Sequence, residues 1–240
     1  MGSPEITLSV VSHAQNTLTN QLLDDLEQHC RERVVVVVTE NVPDTAPLQA
    51  RRSYPVDVVA NNGRKGFGAN HNTAFARCST PFYCVANPDI RLTSDPFPAL
   101  VEALRDPSAG VAGPLVRNLH GDIEDNARRF PTMRALAGKL FRRTHALDYP
   151  PDGAVIDVDW LAGMFLLFRS DAYRLVGGFD EAYFLYYEDA DICRRVRRVG
   201  RRVAYVPHAA VVHDARRGSR RNPRLARHHA ASMLRFLLRG

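Results

Sequence analysis

Five consecutive valines at positions 34–38 constrain the fold of this chain more than any other stretch. A strand with one wet face alternates apolar and polar residues, so an unbroken β-branched run belongs to a parallel strand covered on both faces. Parallel strands need crossover connections, and the flanking sequence supplies them. Residues 6–12 are β-rich, residues 18–30 place Leu22, Leu23 and Leu26 at helical spacing, and residues 56–60 and 82–86 read as further strands. Residues 66–77 read as a loop entering a helix, and 96–105 as a helix capped by Ser94 or Asp95. The alternation predicts an α/β fold with an open, mostly parallel twisted sheet flanked by helices. Ligands bind such sheets beyond the carboxyl ends of the strands.

Beyond Gly110 the pattern loosens into a run at 111–116, a turn at 118–121 and the polar Arg128-Arg129-Phe130-Pro131. Residues 155–160 and 164–168 then read as strands, 170–176 as a short helix, 202–206 as a strand and 207–214 as a loop, with a final helix from Asn222. The 240 residues suffice for one large domain with its own core. No apolar run approaches the roughly 20 residues needed to cross a bilayer. No basic segment followed by an apolar one opens the chain, so a cytoplasmic location is expected. Cys30, Cys78, Cys84 and Cys193 lack the spacing of a zinc site or a disulfide framework. The chain carries a net charge of +6, yet fourteen arginines from Arg194 onward face the single Asp214, leaving the preceding part acidic. That asymmetry suits a phosphate-bearing ligand, anionic lipid or nucleic acid, or else a solvated basic face.

Chemistry-bearing residues cluster where strands end. Glu188, Asp189 and Asp191 open an Arg-rich helix just after Tyr183, Phe184, Tyr186 and Tyr187. A helix start tolerates carboxylates through its dipole, so this is either a capped corner or a site holding a general base among rings that exclude water. Asn87-Pro88-Asp89 ends the strand at 82–86 and is either a plain turn or a sparse donor set for Mg²⁺ or Mn²⁺. Gly66-Phe67-Gly68 with Asn70 and Asn72 allows a close approach of backbone to ligand, but it is neither a dinucleotide fingerprint nor a P-loop. His213 is the last polar position after an apolar run, a structural hydrogen-bonder or a metal ligand.

Taken in order, Glu40-Asn41, Asn61-Asn62-Gly63, Gly66-Phe67-Gly68 with Asn72, Asn87-Pro88-Asp89, Trp160-Leu161-Ala162-Gly163, the Gly-Gly-Phe-Asp-Glu run from Gly177, Tyr187-Glu188-Asp189-Ala190-Asp191 and Val211-Val212-His213 form a series. It resembles the inverting family 2 glycosyltransferases of GT-A fold, and within them the rhamnosyltransferase-like branch that builds lipopolysaccharide and other surface polysaccharides. The resemblance runs from Ile6 to the final helix.

It implies a single GT-A domain with a Rossmann-like nucleotide-sugar-binding half (1–110), an acceptor and catalytic half (111–215) and a basic C-terminal helix (216–240). Asp189 matches the catalytic base, and Asp89 and His213 match metal ligands for Mg²⁺ or Mn²⁺. Ser12, Glu40, Asn62, Gly66, Phe67, Asn72, Asn87 and Asp89 match the nucleotide-sugar cradle. Trp160, Gly163, Glu188 and Asp191 fall on the acceptor side. The implied donor is dTDP-L-rhamnose or another dTDP- or UDP-sugar. The implied acceptor is a growing glycan, often linked to a polyprenyl diphosphate, at the inner face of the cell membrane. Met233, Leu234, Leu237 and Leu238 on the last helix would rest there on anionic lipid or pack on the domain. Two other readings stand beside it. A non-catalytic nucleotide-sugar-binding relative fits the single carboxylate of Asn87-Pro88-Asp89. A nucleic-acid-binding protein fits the arginines, although no RNA or recognition-helix motif accompanies them.

Overall fold

The computed structural model describes residues 3–131, 147–214 and 223–239. Arg216, Arg217, Arg220 and Arg221, the arginines best placed by sequence for diphosphate, lie outside that range. In chain order the elements are β1 (Ile6–His13), α1 (Asn16–His29), β2 (Val34–Val42), β3 (Val56–Ala60), α2 (Phe67–Phe75), β4 (Phe82–Ala86), β5 (Ile90–Arg91), α3 (Phe97–Arg105) and β6 (Ala109–Asn118). There follow β7 (Ala127–Arg128), β8 (Ile156–Asp157), β9 (Trp160–Leu161), β10 (Phe165–Arg169), α4 (Ser170–Leu175), α5 (Glu188–Arg198), β11 (Arg202–His213) and α6 (Pro223–Leu238).

One sheet organises the domain, in the order β3-β2-β1-β4-β10-β6-β11-β5 with β8 alongside β11. β3, β2, β1, β4, β6 and β11 run one way, and β10, β5 and β8 run the other. The mostly parallel sheet expected from the valine run is therefore present. Val34, Val36, Val37 and Val38 are all buried. One face packs Ile6, Leu8 and Val36 against Leu22, Leu26 and Leu100 from α1 and α3. The other packs Tyr83, Val85 and Phe168 against Tyr173, Phe179, Ile192 and Val196. Burial of such large side chains contributes about 1.5–3 kcal/mol each, so both layers hold the sheet.

The structure corrects two local expectations. Residues 207–213 are not a loop: β11 continues through them to His213, and its register against β6 slips between Val206 and Ala210. Pro207 cannot donate to the ladder, so the strand bulges there instead of ending. Residues 155–160 are divided between β8, which pairs with β11, and β9, which pairs with β7 in a separate two-stranded ladder. Both departures serve the site. The continued β11 brings His213 opposite Ile90 of β5, and β9 leads into Gly163.

Candidate active site

The carboxyl ends of β1, β2 and β4 open into a cleft of about 420 Å³. Its walls include His13, Asn41, Phe67, Asp89, Gly163 and Asp189, with Arg64 and Lys65 at one side. Asp189 sits there because of an uncommon backbone turn. Tyr186 and Tyr187 both adopt left-handed conformations, φ 70° and 67°, which cost on the order of 1–3 kcal/mol each and persist only where the surroundings hold them. Helix α6 is one such support: His228 stacks on Phe184, His229 meets the rings of Tyr186 and Tyr187, and Ser232 Oγ donates to the Leu185 carbonyl at 2.9 Å.

From that turn α5 begins with Glu188 and Asp189. The Gly163 N–H donates to Asp189 Oδ2 at 2.9 Å, and the Ala190 N–H to Oδ1 at 2.8 Å. Gly163 fits between Phe67 and Asp189, where a Cβ would lie 3.5 and 3.4 Å from their nearest carbons. Burial raises the pKa of Asp189, while the two N–H donors and the Arg128 charge pull it down. Glu188 is 5% exposed, its Oε2 has no hydrogen-bond partner among the described residues, and burial together with the Asp189 charge pushes its carboxyl well up. Both carboxyls are raised by burial, Glu188 the further of the two, so Glu188 is the neighbour that holds a proton.

That assignment has a measurable consequence for stability. Above the ordinary Glu range the unfolded chain ionises Glu188 while the folded chain holds its proton, so native stability is lost as pH rises from there. Glu188→Gln removes this loss. It is expected to raise the Tm at about pH 8, where only the unfolded wild-type chain gains the ionisation of Glu188, and to have little effect near about pH 4, where both states hold the proton. Calorimetry at the two pH values checks it; a Tm lowered at both would contradict the assignment.

Also on the cleft wall, Asp89 Oδ2 lies 3.4 Å from His213 Nε2, and His213 Nδ1 donates to Glu124 Oε2 at 2.7 Å. Burial alone would lower the imidazole pKa, but the hydrogen bonds and charges of Asp89 and Glu124 outweigh it and raise it to about 9. Asp89 Oδ1 is buried without a hydrogen-bond partner among the described residues. Among the described residues no three His, Cys, Asp or Glu side chains are grouped to hold a metal. What is present is one carboxylate with an unused oxygen and one imidazole whose far nitrogen is fixed by a second carboxylate. Such an arrangement orients a metal-binding histidine, and two protein donors fit a cation that takes its remaining oxygens from phosphates and water.

Other residues singled out in the sequence hold the site's frame. Ser12 is fully buried and donates to Asn16 Oδ1 at 2.6 Å, while Asn16 Nδ2 donates to Glu40 Oε1 at 3.0 Å. Asn62 is exposed, whereas its neighbour Asn61 donates to Asn41 Oδ1 and Asn70 Oδ1. Gly66 admits the Phe184 carbonyl, which a Cβ would approach to 2.7 Å and which accepts from the Phe67 N–H. The Asn87 N–H donates to the Met164 carbonyl at 2.9 Å. Asp191 pairs with Arg194 and Arg195 and does not line the cleft. Trp160 is 8% exposed, its Nε1 donating to the Arg129 carbonyl beneath the Arg128 guanidinium.

Asn72 accepts from Tyr173 Oη and the Phe179 N–H and donates to the Phe179 carbonyl and Glu181. Its amide is thereby spent on the Gly-Gly-Phe turn. Asn72→Ala is expected to lower stability by about 2–3 kcal/mol, since it leaves buried groups unpaired. Urea unfolding measures that loss; an unchanged midpoint would free Asn72 for the donor sugar.

Glu124, His71 and Arg128 were not picked out from sequence as site residues. Glu124 reaches His213 from the hairpin after β6, far away in the chain, and its acidic neighbours Asp122 and Asp125 are the only hint.

Comparison with known proteins places this geometry. The pattern described as glycosyltransferase-like family 2 matches residues 4–232, and the chain belongs to that family. It is 30% identical, over 93% of its length and 81% of the relative's, to the N-acetylglucosaminyl-diphospho-decaprenol L-rhamnosyltransferase of Mycobacterium tuberculosis. It is 28% identical to the rhamnosyltransferase WbbL of Escherichia coli, over 98% of this chain and 93% of that one. Among solved structures it resembles the mannosyltransferase PcManGT from Pyrobaculum calidifontis in complex with GDP-Man and Mn²⁺, with TM-score 0.69 and 17% identity. That likeness covers all of this chain and 66% of the other. Staphylococcus aureus TarS 1–349 with UDP-GlcNAc aligns at TM-score 0.63 and 15% identity, over 89% of this chain and 59% of that one. The fold is thus of the GT-A type.

Proposed function

We propose that this chain is an inverting glycosyltransferase that moves L-rhamnose or a related hexose from a dTDP- or UDP-sugar to a hydroxyl of a polyprenyl-diphosphate-linked glycan. The observation that carries the reading is Asp189, an ionisable carboxylate fixed by two backbone N–H groups on the wall of a cleft that Asp89, the partner of His213, also lines. The rhamnosyl donor is suggested by both relatives, which are rhamnosyltransferases, and the lipid-linked acceptor by the Mycobacterium tuberculosis one alone.

The reaction needs a base on the side of the sugar opposite its leaving diphosphate. Asp189 would take the proton of the acceptor hydroxyl as that oxygen attacks the anomeric carbon, and a single displacement inverts the centre. The Gly163 and Ala190 N–H groups keep the carboxylate aimed, and Phe67, Phe184 and Tyr186 exclude water from it. Holding two sugars at this point supplies much of the remaining rate. Arg64 and Lys65 would meet the donor phosphates from the cleft side. Asp89 and His213 would hold a divalent cation, Mg²⁺ or, better suited to imidazole, Mn²⁺, which neutralises charge on the departing nucleoside diphosphate.

No described helix is long and apolar enough to cross a membrane. Leu234 and Leu238 are 58% and 77% exposed on α6, whose Phe236 is buried against the domain. Those two side chains, with Arg235 and Arg239, would bring the site to an anionic bilayer. Release of dTDP or UDP from the corresponding sugar donors, with Mn²⁺ or Mg²⁺ and a lipid-linked glycan, tests the proposal. Donor binding without transfer to any acceptor would support the non-catalytic alternative instead.

A further inference from the structure

Two separate sets of cationic groups belong to this part of the fold. Arg64 and Lys65 line the cleft beside the strand ends. Arg128 does not line it. It lies on β7, in register with Trp160 of β9, and β9 leads within two residues to Gly163, whose N–H holds Asp189. A continuous wall therefore runs from the Arg128 guanidinium to the proposed base. The guanidinium carbon is 5.2 Å from the centroid of the Trp160 ring. Nε donates to the Asp125 carbonyl at 2.6 Å and sits 3.3 Å from the Asp125 carboxylate. The Nη atoms make no hydrogen bond among the described residues, and the side chain is 40% exposed. A half-exposed ion pair of this kind is weak and yields to a multiply charged ligand.

We propose that Arg128 binds the diphosphate through which the acceptor sugar is joined to its carrier, making this enzyme selective for glycosyl diphosphates over neutral glycosides. The inference rests on the proposed function, which puts the acceptor hydroxyl at Asp189. An acceptor sugar reacting there carries its diphosphate on its own anomeric carbon, one pyranose ring away on the side turned from the donor. Arg128 is reached from Asp189 through Gly163 and β9, whereas Arg64 and Lys65 line the cleft itself, and the proposal seats the acceptor diphosphate against the former. A planar guanidinium offers phosphate two parallel N–H donors, and stacking on a buried indole restrains it before the ligand arrives. The donor diphosphate is the rival ligand, but Arg64 and Lys65 already face it.

The test compares Arg128→Gln with the wild-type full chain on two acceptors. One is N-acetylglucosaminyl diphosphate on a short prenyl chain, the other the same sugar on a neutral alkyl alcohol. Wild type is expected to favour the diphosphate, and Arg128→Gln to reduce the ratio of the two kcat/KM values by about 10–100-fold, as loss of a charged hydrogen bond implies. The change should reside in acceptor KM rather than donor KM, and Arg128→Lys should recover part of it. A parallel loss on both acceptors would make Arg128 a support for Trp160, and a raised donor KM would assign it to the donor phosphates. Either result overturns the proposal. Calorimetric titration of the prenyl diphosphate acceptor separates this inference from the function it rests on. Equal binding by wild type and Arg128→Gln refutes the Arg128 assignment even if transfer occurs. Weaker binding by the variant supports it even if the donor proves to be a different one.

Discussion

Asp189→Asn is expected to lower sugar transfer by about 10²–10⁴-fold, the usual contribution of a positioned general base, while donor binding stays within about twofold. The amide keeps the size of the carboxyl group, and its oxygen can still accept from Gly163 or Ala190, so the turn at Tyr186 and Tyr187 and the start of α5 should persist. What it cannot do is take a proton. The prediction is specific to position: Asp191, two residues on, is bound up with Arg194 and Arg195. Single-turnover transfer measured beside nucleotide-sugar binding separates the two quantities. Retained transfer would remove Asp189 as base.

The second large effect belongs to Asp89, also on the cleft wall. Asp89→Ala is expected to reduce kcat/KM by about 10²–10³-fold, the scale for loss of a group that stabilises charge developing in the transition state. It should also abolish the part of the donor-induced thermal shift that depends on added Mn²⁺ or Mg²⁺, since a ligand that binds only the native state stabilises it in proportion to its affinity. His213 would then keep Glu124 as its partner. A metal-dependent shift that survives in Asp89→Ala would place the cation elsewhere.

Much of the frame was legible in the sequence because it rests on local chemistry. A β-branched run signals a covered strand, and Val34, Val36, Val37 and Val38 are buried as that rule requires. Asn87-Pro88-Asp89 follows β4 at the carboxyl end of a central strand, where ligands bind in such folds. Side-chain partners were less legible. Asn72 has the chemistry to hold a sugar, yet its amide is spent on the Gly-Gly-Phe turn about a hundred residues away. Asn61 and Asn62 are indistinguishable by type, and only the fold turns one inward.

Long-range partnership explains the other gaps. Glu124 acquires its role from β11, whose passage through Pro207 reads locally as a loop and is carried by a bulge supported by β6. Arg128 acquires its place from pairing with β9. In each case the residue type was visible, and the neighbour that gives it meaning comes from another part of the chain.

The central claim is an inverting transfer through one displacement assisted by Asp189. It is tested most directly by letting the wild-type chain act, with Mn²⁺, on a dTDP-sugar of known anomeric configuration and a prenyl-diphosphate-linked glycan, and reading the new linkage by NMR. The account predicts a product whose anomeric configuration is opposite to that of the donor. A product of retained configuration would contradict it, because one displacement from the face opposite the leaving diphosphate must invert the anomeric carbon.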